Sequence, residues 1–292
     1  MLNAVFSLLG FSQPIATLPP ASVLEIVAPP QLRGEELAPV VKAEAALVMD
    51  VKTGSILFEK NAQTQLPIAS LTKLVTALVA KENYQLNDVV VVSENADKQP
   101  PAEAHLLTGE EITVENLLKA LLINSANDAA TALAEKMGEE EFVVKMNDKV
   151  SKLGLLNTHF SNAVGYDEEG NYSTAYDLAR LAGYFLRDDL LREIVATQST
   201  MVASVNGGIR HQLSSTNKLY GTYLTMRGLK TGTTDEAGEC FAGIAEGENG
   251  QQVLAIVLNS PSRMQEDKAL LTWALTNFRW GSGAQLICNV CF

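Results

Sequence analysis

Pro67-Ile68-Ala69-Ser70-Leu71-Thr72-Lys73-Leu74-Val75-Thr76-Ala77-Leu78-Val79-Ala80-Lys81 is the stretch on which the reading of this chain turns. Leu71, Leu74, Val75, Leu78 and Val79 recur at intervals of three and four, so the spacing predicts an amphipathic helix over 70–81. Pro67 brings the chain to the helix start. Ser70 then falls on the first turn, where unpaired backbone N–H groups and the positive end of the helix dipole meet a developing anion. Lys73, three residues on, projects from the same face and can reach the serine oxygen. A serine hydroxyl needs a base to become a nucleophile. A lysine serves as one only when neutral, a state that burial and a second nearby cation both favour.

Working outward, 45–51 and 55–60 are short apolar runs around Lys52-Thr53-Gly54, which predicts a β-hairpin before the serine helix. A short strand is expected at 89–92. Helices are expected at 114–123, 128–137, 140–153 and from 174 through 186 to about 195. Strand patterns return at 224–231, 240–246 and 252–259, the last two joined by the turn signal Gly247-Glu248-Asn249-Gly250. A helix over 264–278 follows. Strands at both ends with helices between them predict an α/β chain of the α+β type. An antiparallel sheet is flanked by helices, a helix-rich segment forms a second lobe, and a cleft between the lobes is the natural place for a site.

The 292 residues carry 47% hydrophobic and 19% charged side chains, a globular balance that excludes wholesale disorder. Twenty-two basic against thirty-four acidic residues leave a net charge of −12, which repels phosphate backbones and excludes general nucleic-acid binding. Three histidines (His105, His159, His211) supply little material for a Ser-His-Asp triad or a histidine metal site, and neither metal nor cofactor is expected. Cys240, Cys288 and Cys291 are too few for a disulfide framework. The C-x-x-C pair at 288 and 291 follows Gly281-Ser282-Gly283 and reads as part of a tail over 281–292. Val5-Phe6-Ser7-Leu8-Leu9 resembles the apolar part of an export signal but lacks a basic start, so an atypical signal and a plain leader both stay open. Six prolines between 14 and 39 read as a linker. The expected organisation is a leader and linker over 1–42, a catalytic domain over 43–280, and the tail. No run reaches the apolar length needed to cross a bilayer.

Three short motifs carry the chemistry: Ser70-Leu71-Thr72-Lys73, Ser125-Ala126-Asn127 and Lys230-Thr231-Gly232. Each is weak alone. Ser215-Thr216-Asn217-Lys218 repeats the first pattern, Ser93-Glu94-Asn95 and Ser204-Val205-Asn206 repeat the second, and Lys52-Thr53-Gly54 repeats the third. Context selects among them. Ser215 has no helical period behind it and reads as a turn, and Lys52 sits between two hairpin strands. Ser125 and Asn127 occupy a helix–loop–helix corner suited to pointing side chains across a cleft, although helix capping alone would also account for them. Lys230 lies on a strand, and the glycine after Thr231 lets a ligand approach the backbone.

With these motifs in this order, the chain resembles the serine-type D-alanyl-D-alanine carboxypeptidases among the low-molecular-mass penicillin-binding proteins, peptidase family S11. Thr158-His159-Phe160-Ser161-Asn162, Tyr172-Ser173-Thr174-Ala175 and Thr216-Asn217-Lys218-Leu219 match as well, and the likeness covers roughly 43 to 279. The resemblance implies a β-lactamase/transpeptidase-like fold. It implies Ser70 as the nucleophile that becomes the acyl-ester and Lys73 as its proton acceptor. Ser125 would relay a proton to the leaving D-alanine, and Asn127 would position Lys73 and the substrate amide. Lys230 and Thr231 would hold the substrate carboxylate, with Gly232 between them and the N–H groups of Ser70 and Thr233 as oxyanion hole. Arg263, in Ser260-Pro261-Ser262-Arg263, would help bind the terminal carboxylate. The implied substrate is a peptidoglycan stem peptide ending in D-alanyl-D-alanine, with β-lactams as covalent inhibitors, no cofactor, and a place in the extracytoplasmic cell envelope. The C-terminal β-domain and membrane-anchoring helix of many members are not expected here, and Cys240 is expected to be buried and structural.

Three rivals share the scaffold. A class A β-lactamase needs an E-x-x-L-N loop to activate deacylating water, and the nearest segment, Asp167-Glu168-Glu169-Gly170-Asn171, does not fit. A non-catalytic peptidoglycan-binding protein is disfavoured by the intact motifs. A DD-endopeptidase would use the same residues and stays open.

Overall fold

Val253, Ala255 and Val257 face one side of their strand and Leu254, Ile256 and Leu258 the other, and all six are fully buried. A strand apolar on both faces must be covered on both, which places it inside a layered fold. The computed structural model describes residues 23–26, 28–34, 36–100, 103–281 and 284–287. Its strands begin with β1 (Val23–Ile26), β2 (Gln31–Leu32), β3 (Ala45–Asp50) and β4 (Ile56–Lys60). A 3-10 turn (Ala69–Thr72) leads into α1 (Lys73–Asn83), followed by β5 (Val89–Val91), α2 (Glu94–Asp97), β6 (Glu111–Thr113) and α3 (Val114–Ile123). Then come α4 (Asn127–Glu135), α5 (Glu139–Lys152), α6 (Ala175–Phe185) and α7 (Asp189–Val195). The strands β7 (Ser199–Ala203), β8 (Arg210–Ser214), β9 (Thr225–Thr234), β10 (Gly238–Glu246) and β11 (Gln252–Ser260) precede α8 (Arg263–Asn277), β12 (Phe278–Arg279) and β13 (Ala284–Ile287).

The main sheet is antiparallel throughout, in the order β4-β3-β11-β10-β9. Helix α8 covers one face, where Leu270, Leu271 and Ala274 meet Ala46, Val48, Phe241, Ala255 and Val257. On the other face Leu47, Ala242, Ile244, Leu254 and Ile256 join a larger core supplied by α1 and α3 to α7. The helical segment is inserted between β4 and β9, so the serine turn, the helical lobe and the edge strand β9 converge along one side of the sheet. This is the α+β arrangement expected from the pattern of strands and helices.

Two compact units are present, Pro29–Trp280 and a second made of 1–28 with 281–292. Of the second, only β1 and β13 are described, an antiparallel pair from Val23 opposite Ile287 to Ile26 opposite Ala284. The apolar leader segment and the C-x-x-C at Cys288 and Cys291 lie outside the described residues. In the first unit, β2 pairs with β12, so ordered pairing starts ahead of residue 43.

Two local expectations change. The single helix over 174 to about 195 is two helices, because Asp188 accepts the amide of Leu191 at 3.0 Å and starts α7 afresh. The region 199–214, for which no strand is expected, is the hairpin β7–β8. Asn206 takes the Gly208 amide at 2.8 Å, and Gly207 adopts a left-handed φ of 70° at the turn.

One core position carries an acid. Asp267 of α8 is fully buried against the sheet, where a Cβ at Gly243 would stand 2.1 Å from its carboxylate oxygen. Neither oxygen has a hydrogen-bond partner among the described residues, and burial pushes the carboxyl well above its ordinary 3.8. The folded chain therefore holds a proton that the unfolded chain releases above about pH 4, and stability is lost as pH rises from there. Asp267→Asn removes that penalty. Thermal melts should show a gain of at least about 2–4 °C at pH 8 that shrinks toward pH 4. An equal change at both pH values would contradict the buried-acid account.

Candidate active site

Ser70 sits in the 3-10 turn that precedes α1, one residue after Ala69, whose φ of 49° turns the backbone sharply. A non-glycine residue in the left-handed region is held there by its surroundings. Here those surroundings are two glycines. A Cβ at Gly165 would lie 2.2 Å from the Ala69 carbonyl oxygen, and one at Gly232 would lie 2.7 Å from the Ser70 amide nitrogen. The loop at 165 and the edge strand β9 thus press directly on the serine turn, which a side chain at either position would prevent.

Lys73 begins α1 and is fully buried. Its Nζ lies 2.8 Å from Ser70 Oγ, 2.7 Å from Asn127 Oδ1 and 2.6 Å from the Val164 carbonyl. Burial lowers its pKa from 10.5 to about 7, while the neighbouring Asp128 pulls in the opposite direction. Asp128 is buried too, and its carboxylate is occupied by the amides of Ala104 and Leu106 at 2.9 and 3.1 Å. It is a fixed negative charge that moderates the drop.

Ser125 forms the corner between α3 and α4 with a φ of 62°, and Lys230 of β9 donates to its hydroxyl at 2.6 Å and to the Thr231 carbonyl at 2.8 Å. Lys230 is 2% exposed. Burial first, then Lys73 and Arg263, hold its pKa well below that of a free lysine. Arg263 opens α8 and its guanidinium donates to the Gly232 carbonyl and the Thr233 hydroxyl. Thr231 shares a hydroxyl–hydroxyl bond of 2.6 Å with Thr216. All nine residues singled out in the sequence therefore fall in one neighbourhood, linked directly or through β9.

The repeated motifs fall elsewhere. Lys52-Thr53-Gly54 turns the β3–β4 hairpin, with Thr53 Oγ1 bonded to Asp50 at 2.6 Å. Ser93 caps α2, and Ser204 bonds Asn206 in the β7–β8 turn. Ser215 accepts the Asn217 amide at 3.2 Å in a local turn, yet its neighbour Thr216 reaches the site through Thr231. The carboxylates of Asp167 and Glu168 have other partners: Asp167 takes the Glu236 amide at 3.1 Å, and Glu168 takes Asn162 Nδ2 at 2.9 Å. Cys240 is buried beside the Ala237 carbonyl, and burial raises its thiol to about 11. No group of three or more His, Cys, Asp or Glu among the described residues is placed to hold a metal ion.

Sequence reasoning missed the Val164 carbonyl, Gly165, Asp128 and Thr216. The glycine packing is open to test. Gly232→Ala should destabilise the fold by about 1–3 kcal/mol, because the added methyl meets backbone rather than a side chain that can swing away. Gly207→Ala, at an open turn with no neighbour within 4 Å, is the comparison, its cost limited to the left-handed backbone. Denaturant midpoints decide; a Gly232→Ala midpoint equal to wild type would show that the contact gives way freely.

A family model of D-alanyl-D-alanine carboxypeptidases, peptidase S11, matches residues 33–262. The D-alanyl-D-alanine carboxypeptidase DacF of Bacillus subtilis is 37% identical over 238 residues, 79% of this chain and 60% of that protein. The chain thus spans less than two thirds of that relative's length. The D-alanyl-D-alanine carboxypeptidase of Streptomyces sp. K15 is 34% identical over 242 residues, 77% of this chain and 83% of that protein. The crystal structure of the Streptomyces K15 DD-transpeptidase superposes with a TM-score of 0.78 at 31% identity, covering 82% of this chain and 100% of that one. With the motif order, the sheet topology and this match over most of its length, the chain belongs to the peptidase S11 family of D-alanyl-D-alanine carboxypeptidases.

Proposed function

We propose that the chain is a serine D-alanyl-D-alanine carboxypeptidase of the cell envelope that removes the terminal D-alanine from peptidoglycan stem peptides and is acylated by penicillins. The observation that carries this reading is the contact of a buried, low-pKa Lys73 with Ser70 Oγ at 2.8 Å. A neutral lysine has two N–H bonds and one lone pair. With the N–H bonds directed at Asn127 Oδ1 and the Val164 carbonyl, the lone pair is left for the serine proton.

In the acylation step Ser70 Oγ bonds to the carbonyl carbon of the penultimate D-alanine while its proton passes to Lys73 Nζ. The carbonyl oxygen becomes an oxyanion facing the Ser70 and Thr233 amides, a stabilisation of about 3 kcal/mol per donor in comparable sites. The peptide C–N bond then breaks, and the departing amine takes a proton delivered through Ser125, whose hydroxyl Lys230 holds. Water attacks the ester, the Ser70 oxygen regains its proton, and the shortened peptide leaves. Lys230, Thr231 and Arg263 give an acidic protein a group of basic and hydroxyl side chains to receive the substrate's terminal carboxylate. We assign the catalytic unit to 43–280, a span that the β2–β12 pairing extends back to Gln31, with the residues before it as leader and linker and 281–292 as tail. No helix among the described residues is long and apolar enough to cross a membrane.

The likeness to a DD-transpeptidase supports a second outcome for the same acyl-enzyme, capture by an amine in place of water. A pentapeptide ending in D-alanyl-D-alanine, supplied with and without glycine as acceptor, separates hydrolysis from transfer.

Intact-mass measurement should find one penicillin added per wild-type chain and none on Ser70→Ala. A wild-type protein that never acquires the adduct at saturating drug would sink the acyl-enzyme reading, and rapid turnover of the drug would point to a β-lactamase.

The pH dependence follows from the base. Acylation should rise as pH passes through about 7, where Lys73 becomes neutral, and level off above it. Lys73→Ala should lower the plateau by about 10²–10⁴-fold. A wild-type rate flat from pH 5 to 9 would remove Lys73 from the role of base.

A further inference from the structure

Asn162 belongs to the segment Thr158-His159-Phe160-Ser161-Asn162, which carries part of the family likeness and supplies no atom to the reacting groups described above. Its carboxamide oxygen accepts the backbone amides of Val164, Gly165 and Tyr166 at 3.2, 2.7 and 3.2 Å. Its Nδ2 donates to Glu168 Oε2 at 2.9 Å and to the Tyr166 carbonyl at 3.3 Å, so the amide is held from both sides. The Gly165 N–H and the Val164 C=O are the two ends of one peptide group. Asn162 grips the nitrogen end and Lys73 Nζ, at 2.6 Å, grips the oxygen end.

We infer that Asn162 is a positioning residue for the nucleophile's base: it fixes the orientation of the 164–165 peptide group, so that the carbonyl takes a hydrogen of Lys73 and leaves the lone pair directed at Ser70. The inference rests on the acyl-enzyme reading. Three features support it. A peptide group bonded at both ends is polarised, which strengthens its carbonyl as an acceptor. Gly165 has a φ of 92°, and glycine without such a clamp samples widely different orientations of the adjoining peptide. The neighbouring carbonyl of Ala163 is tied to α1 separately, by Thr76 Oγ1 at 2.7 Å, so the loop stays docked while the orientation of the next peptide depends on Asn162.

The test is the pH profile of penicillin acylation with melting temperature recorded in parallel, on the full chain. Asn162→Ala should fold and dock but lower the alkaline plateau by about 10- to 100-fold, the scale of small misplacements of a reacting group. Asn162→Asp, made in a Glu168→Gln background so that two carboxylates do not meet, keeps an oxygen for the three amides, and its plateau should stay within about threefold of Glu168→Gln alone. Its added negative charge favours the Lys73 ammonium and should move the midpoint to higher pH. Asn147→Ala is the structural comparison. Asn147 holds the Phe160 amide and carbonyl at 2.9 and 2.8 Å in the same segment without touching 164–166, and its loss should lower the melting temperature while leaving plateau and midpoint alone. If Asn162→Ala behaves like Asn147→Ala, or if the aspartate variant loses as much plateau as the alanine variant, the positioning role is overturned while the acyl-enzyme reading stands. A wild-type chain that forms no adduct would instead overturn that reading and this inference with it.

Discussion

Lys73 carries its nitrogen at the end of a long aliphatic stem that is entirely out of water, and an ammonium group in that position must find three acceptors or surrender its charge. It has found three: Ser70 in the turn just ahead of its own helix and, from segments far along the chain, Asn127 on α4 and the carbonyl of Val164. The acceptors are numerous enough to hold the cation and weak enough to let it go near neutrality, since all three are uncharged and Asp128 is committed to backbone amides. Much of the surrounding architecture serves that balance. Polar loops are drawn into the interior because the lysine is there, and the lysine is tolerable there because they come.

Close backbone approach is the second constraint. The serine turn, the loop at 165 and β9 meet with no side chains between them, which glycine alone permits at 165 and 232. The sheet contributes rigidity: β9 is held along most of its length by β10, from Thr234 opposite Gly238 to Thr225 opposite Glu246. Lys73, Lys230 and Arg263 are thereby fixed by a strand and by the starts of two helices rather than by loops. A chain with a net charge of −12 can gather Lys73, Lys230 and Arg263 in one place because the framework supplies the force that keeps them together.

Local signals carried much of this into the sequence. The helical period behind Ser70 separated it from Ser215, and the hairpin context separated Lys52 from Lys230. Features that depend on identity at a spacing are legible in this way. The Val164 carbonyl was not, because every residue has a carbonyl and nothing in the side chain marks which one will face a lysine. Asp128 read as an ordinary residue near a helix start, because its partners are the amides of 104 and 106, set by tertiary packing. The β7–β8 ribbon was hidden for another reason: five of its ten residues are exposed and only Val202, His211 and Leu213 are buried, so its apolar alternation is faint. Thr216 stood inside a discarded motif, and the motif's failure as a nucleophile site concealed its neighbour's use.

The insertion of the helical lobe between β4 and β9 has a consequence for how the molecule comes into being. Strand β3 is buried throughout and apolar up to Asp50, and one of its two partners, β11, lies about 200 residues further along, Ala46 pairing with Val257. While the chain is being made or threaded from its N-terminus, β3 and β4 can form their hairpin, but the inner edge of β3 must wait for almost everything else. During that interval it is a hydrophobic strand with an open row of amides and carbonyls, the kind of surface that recruits other chains. The same nesting of one lobe inside the other that builds the cleft makes the growing polypeptide dependent on being kept apart from its copies until β11 arrives.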